Sequence, residues 1–289
     1  MMAAALTAPD RLRRSLLIVQ SAPAGEPHFV ITLSQHTAFA AAMARVFGND
    51  AFEPPSPRAE MLYVIEHHDQ GWAEFDERPQ WDPETGLPYH LGETPRETAL
   101  ATAVRSPELN EAHHPYCGLL SSMHIWGLYM GRYGLSEGTR LLEGVPAEYR
   151  ARFEAMLDGQ LERQARLKAV LAADPATAGW IEERKLFQNY KQLQFFDTLT
   201  LYFQCTRATD RGPAEFLHVP KSAEEDVTVA VTPMDADTYR FSPFPWSEDG
   251  VEVSFEGRYF TPDPDATGAE RYRTLRNAAT ETQTVRFVA

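Results

Sequence analysis

Period-two alternation of apolar and polar residues stands at both ends of this chain, and helical periodicity fills the middle. Residues 15–20 and 28–32 are short β-prone runs around Ala22, Pro23, Ala24 and Gly25, a hairpin signal. Residues 227–231, 251–259 and 285–288 alternate in the same way after Arg211, Gly212 and Pro213. An isolated hairpin is marginal in water, so both ends are expected to lend strands to one sheet packed on the helices. The pattern predicts a mainly α fold, with a small β-sheet formed by the N-terminal hairpin and the β-rich C-terminal region.

Apolar spacings of three and four predict helices over residues 34–47, 58–70, 116–133, 147–172 and 181–205. Residues 71–111 contain Pro79, Pro83, Gly86, Pro88, Gly92, Pro95 and Pro107, which no single regular element accommodates. A stretch of this kind reads as a lid or binding loop.

Charge and cysteine usage narrow the classes of partner. With 41 acidic against 27 basic side chains the net charge is -14, a field that repels nucleic acid phosphates. No run approaches the roughly 18 apolar residues of a membrane span. The apolar residues 16–19 after Arg11, Arg13 and Arg14 are fewer than the roughly 7 to 15 of a secretion signal core. Cys117 and Cys205 stand alone, as buried thiols in a reducing compartment. The expectation is a cytoplasmic protein acting on a small molecule, with a homo-oligomer allowed.

Polar residues interrupt the apolar helix faces at a few positions. His36 shares a stripe with Phe39, Ala40, Met43 and Phe47, and His68 with Asp69 falls on the stripe of Met61, Ile65 and Trp72. Asp197 sits among Leu186, Tyr190, Leu193 and Leu201, and His124 lies in line with Leu120 and Leu128. A buried carboxylate requires a cation, a hydrogen-bond network or a proton. One divalent cation would satisfy His36, His68, Asp69 and Asp197 together, and imidazole with carboxylate suits Mn, Fe, Ni or Zn.

The order His36, His68-Asp69, Asp197 resembles the H…HD…D signature of the HD-domain superfamily. More closely, Gln35-His36, the run from His68 through Trp72 with Asp76, Ser122 with His124, and Asp197-Thr198-Leu199 resemble an uncharacterised bacterial HD-like family of unknown function, over about residues 15–260. The resemblance implies an HD-like helical bundle over residues 15–211, after a disordered start over 1–14, with the β-rich region 212–289 on the same core. It implies that His36, His68, Asp69 and Asp197 hold a first metal ion, Mg included among the candidates. A second ion would draw on His90, His113, His114 or His124, with His114 and His124 favoured.

By the same resemblance the protein is a metal-dependent hydrolase of a small phosphoester or nucleotide-like substrate. Metal-activated water would attack, Asp69 or a nearby His would manage the proton and His124 would protonate the leaving oxygen. Asp76 would bind substrate or move a proton. The basic residue that many HD hydrolases place after the HD pair is missing at Gln70-Gly71-Trp72, so Lys191, Lys185 or Arg58 would take its place against phosphate. Two further readings are an HD-type di-iron oxygenase cleaving a carbon bond, and a degenerate HD scaffold without activity whose loop over residues 71–111 or aromatic tail, Tyr239 with Phe241, Phe244 and Trp246, binds a small molecule or a protein.

Overall fold

The computed structural model describes residues 17–23, 25–89, 94–136 and 138–289. The disordered start expected over residues 1–14 therefore lies outside the described residues. β1 (Ile18–Val19) and β2 (His28–Ile31) form an antiparallel hairpin, and Thr32, whose hydroxyl accepts from the Gln35 amide, caps α1 (Leu33–Val46). α2 (Arg58–His67), α3 (Ala73–Glu77), α4 (Arg96–His113), α5 (Pro115–Tyr129), α6 (Ala147–Ala172) and α7 (Glu183–Cys205) follow. The chain then forms β3 (Ala214–Pro220), β4 (Asp226–Pro233), β5 (Thr238–Ser242) and β6 (Val251–Phe260), and closes with α8 (Gly268–Asn277) and β7 (Thr280–Val288).

The seven strands make one curled sheet in the order β1-β2-β6-β7-β5-β4-β3, antiparallel except where β5 runs parallel to β7. This corrects the expectation of a mainly helical, HD-like bundle with a small sheet, since about 52% of the described residues are helix and 19% strand in a substantial mixed sheet. The extra strands carry weak signals. β3 is broken by a bulge between Phe216 and Val219, and β7 begins with exposed polar residues before its buried Val285 and Phe287.

The stretch over residues 71–111 also needs correction, because α4 occupies its last third. Pro107 lies inside that helix and has no N–H for the Ala103 carbonyl one turn earlier. The Gln160 side chain of α6 donates to that carbonyl at 3.2 Å, so the proline leaves no buried acceptor unpaired. The buried face of α4 is made of Thr98, Leu100, Thr102, Ala103, Ser106, Pro107 and Asn110, a set with almost no apolar periodicity.

α7 is the central helix. It is buried nearly all round and packs against α1, α2, α5 and the sheet. Between α1, α7 and the sheet lies an aromatic layer in which Phe39, Phe203, Tyr239, Phe241, Trp246, Phe255 and Phe287 meet mostly edge to face. Tyr239, Phe241 and Trp246 are thus core residues, not the ligand-binding tail of the scaffold reading.

Candidate metal centre

The cluster is assembled from the start of α1, the end of α2, the middle of α5 and the middle of α7. α2 stops at His67, earlier than the expected residue 70, so His68 and Asp69 stand in the turn that follows. Two contacts with α4 fix that turn. Asn110 Nδ2 donates to the His67 carbonyl at 2.8 Å, and the Gly71 amide donates to Ser106 Oγ at 3.0 Å. Gly71 is required by close approach. A Cβ there would lie 2.6 Å from Ser106 Oγ and 2.9 Å from the Thr102 carbonyl oxygen.

Four of the predicted residues converge with a fifth. His36 Nε2 lies 3.2 Å from Asp197 Oδ1, and His68 Nε2 lies 3.7 Å from the same oxygen and 3.6 Å from Asp69 Oδ2. The His124 ring stands edge-on to His68 with centroids 4.9 Å apart. His36, His68 and Asp197 form one set of donor atoms close enough for a metal ion, and His68, Asp69 and His124 form another. The three imidazoles and Asp197 are buried, while the Asp69 side chain keeps 12% of its surface exposed.

The far side of each ring is tied down. His68 Nδ1 donates to the Ile65 carbonyl at 2.9 Å, and His36 Nδ1 donates to Gln204 Oε1 at 2.8 Å with Thr200 Oγ1 at 3.0 Å. Gln194 Nε2 meets His124 Nδ1 at 2.7 Å. Gln194, Thr200 and Gln204 were not singled out in the sequence, yet they stand with Asp197 at spacings of three and four on α7, which is the signal that would have found them. His68 Nε2 is buried with no hydrogen-bond partner, since 3.6 and 3.7 Å to the carboxylates exceed hydrogen-bond reach.

Charge follows from this packing. Burial disfavours protonation of His68, but Asp69 and Asp197 outweigh it and push the imidazole up to about 9. Burial and the neighbouring His68 push His124 down to about 3. Burial raises Asp69, whereas at Asp197 the histidines overcome burial and hold the carboxyl well below the usual range.

The remaining candidates are placed elsewhere or spent. Asp76 borders the cluster, but its carboxylate accepts from the Leu33 and Ser34 amides at 2.8 and 2.9 Å and from Ser34 Oγ at 2.5 Å, so it caps α1. His114 does not join the cluster. It is the N-cap of α5, its Nδ1 accepting from the Tyr116 amide at 3.1 Å, because Pro115 begins the helix there. His113 stacks on Tyr63, and His90 lies outside the described residues. Lys191 is bound to Asp226 on β4 at 2.6 Å and does not join the cluster; Arg58 donates to the Arg45 carbonyl, and Lys185 is half-buried.

Beside Asp69 opens a cleft of about 280 Å³, bordered by the start of α1, the end of α2 and α3. Among the described residues no helix is long and apolar enough to cross a membrane.

A family model described as a protein of unknown function (DUF3891) matches residues 17–261. No curated protein and no solved structure gives a significant match.

Proposed function

We propose that this chain, which belongs to the DUF3891 family, is a metal-dependent hydrolase with its centre at His36, His68, Asp69, His124 and Asp197. One observation carries the reading: His36 and His68 both spend Nδ1–H on a fixed acceptor and turn Nε2 toward the same carboxylate oxygen. A neutral ring in that tautomer offers a lone pair to a carboxylate, which repels it. A positive charge there relieves that repulsion, either the proton that His68 carries in the metal-free protein or a metal ion in its place, and hydrogen bonds to Nδ1 are what prepare histidines to ligate a metal. The unpartnered His68 Nε2 supports the fit.

When bound, a divalent ion supplies a water of lowered pKa and polarises the bond under attack. The residues do the rest. His36, His68 and Asp197 are ligands held rigidly by α1, α2 and α7. His124, kept neutral by its surroundings, is a further ligand and not the acid of the leaving group. Asp69 is the one member exposed at the cleft and its carboxyl is raised by burial, so its free oxygen takes a proton from the attacking water and returns it to the leaving group. A single ion fits best, because both donor sets draw on His68, whose Nδ1 is spent on Ile65. The di-iron reading gains no observation of its own.

The test is metal content by inductively coupled plasma mass spectrometry on protein purified without chelator, beside a His68→Ala, Asp69→Ala variant. Stoichiometric metal in the wild type and its loss in a variant of unchanged circular dichroism is the expected result. No metal in either protein after reconstitution overturns the reading.

A further inference from the structure

From the hydrogen-bonding inventory of the cleft beside Asp69 we infer that the substrate presents a protonated nitrogen, an ammonium or amidinium head, and is not a phosphoester. This rests on the metal-centre reading for its catalytic meaning and names the substrate class of that site.

The donors on the cleft wall are already committed. Ser34 Oγ and the Leu33 and Ser34 amides are given to Asp76, and Thr37 Oγ1 is given to the Ser34 carbonyl at 3.3 Å. His67 spends Nδ1–H on the Tyr63 carbonyl at 2.9 Å, and its ring lies stacked on Tyr63, so Nε2 keeps a lone pair and a fixed direction. Among the described lining residues the Gln70 amide nitrogen is the one side-chain donor with no assigned partner, and Gln70 Oε1 is buried with none.

What remains is a surface of acceptors. Asp69 and Glu66 contribute carboxylates, His67 contributes Nε2, and Asp76 adds negative charge behind Ser34. Among the described residues no lysine or arginine lines the cleft; Arg45 pairs with Glu66 at 2.5 Å. Apart from a metal ion at the centre, a phosphate dianion here would meet carboxylates and lone pairs, with no group of the wall to replace its hydration. An ammonium or amidinium, made only of donors, satisfies the same wall. The exclusion agrees with the overall charge of -14 and explains why the expected phosphate-binding cation is missing after Gly71. Lys191, Lys185 and Arg58 do not supply it, since none lines the cleft.

The experiment is isothermal titration calorimetry of the full chain with butylamine, methylguanidine and inorganic phosphate, with metal content measured on the same sample. At neutral pH at least one of the two cations should bind saturably and phosphate should not. Glu66→Lys, at a half-exposed position, should weaken the cation about tenfold, and His67→Ala should do so as well, both without change in circular dichroism. Phosphate binding without cation binding, no binding by either cation, or cation binding untouched by both substitutions overturns the inference. A metal-loaded protein that binds no cation defeats this inference and leaves the metal centre standing. A protein that binds the cation but no metal defeats the metal reading alone.

Discussion

Removing the metal should make folding stability depend steeply on pH through one residue. In the metal-free protein His68 is held at about 9 against an ordinary 6.5, with burial opposing and the charges of Asp69 and Asp197 prevailing. A folded-state pKa above the unfolded one contributes stability that is fully present below pH 6.5 and lost as pH rises through about 9. At about 1.4 kcal/mol per pKa unit the difference is worth about 3 kcal/mol. Urea unfolding of chelator-treated protein at pH 6, 7.5 and 9.5 should show that loss, mostly in the last interval. His68→Gln should remove the slope, because glutamine does not titrate. Restoring the ion should remove it too, since a bound cation replaces the proton and its binding releases protons below pH 9. A metal-free wild type whose stability is flat from pH 6.5 to 9.5, or a His68→Gln variant with the wild-type slope, would refute the argument that the carboxylates and not burial govern this ring.

Three other perturbations follow from the packing. Gly71→Ala drives a Cβ into Ser106 and the Thr102 carbonyl and should cost about 2–4 kcal/mol from overpacking and the strained buried hydrogen bond; calorimetric metal titration should show weakened affinity, and an unchanged variant would mean that α4 does not set the turn. Gln160→Leu should cost about 1–3 kcal/mol by stranding the Ala103 carbonyl, but much less alongside Pro107→Ala, whose new N–H serves that carbonyl; a double-mutant cycle in urea with no coupling would contradict this account of the proline. His114→Ala should lose about 1 kcal/mol of capping with full metal content, whereas loss of metal would return His114 to the ligand set.

The sequence made the inward residues legible because burial of polar groups leaves a periodic trace. His36, His124 and Asp197 each stood on an apolar stripe, and a stripe is a statement about direction that survives without coordinates. For His68 and Asp69 the apolar period is only partly right: it continues the helix through both, whereas they lie in the turn beyond its end. Spacing alone carries no record of Asn110 and Ser106 arriving from α4 to fix that turn. α4 itself was hidden because its buried face is built from threonine, serine, alanine and asparagine, so its helicity leaves no apolar period, and Pro107 argues against it.

The underestimated sheet and the misassigned cations share a different cause, which is that pairing is not a local property. The early part of β7 is polar and exposed, and it is a strand because β6 offers a complete ladder from Val251 against Phe287 to Arg258 against Thr280. Lys191 sits on the same helix as Asp197, and nothing in the helix tells that Asp226 waits on β4 to take its charge. The same principle governs the cleft, where Ser34, Thr37 and His67 look like donors in sequence and are converted by internal hydrogen bonds into a wall of acceptors. Which chemistry a site admits therefore depends less on which polar residues line it than on which of their hydrogens the fold has already used.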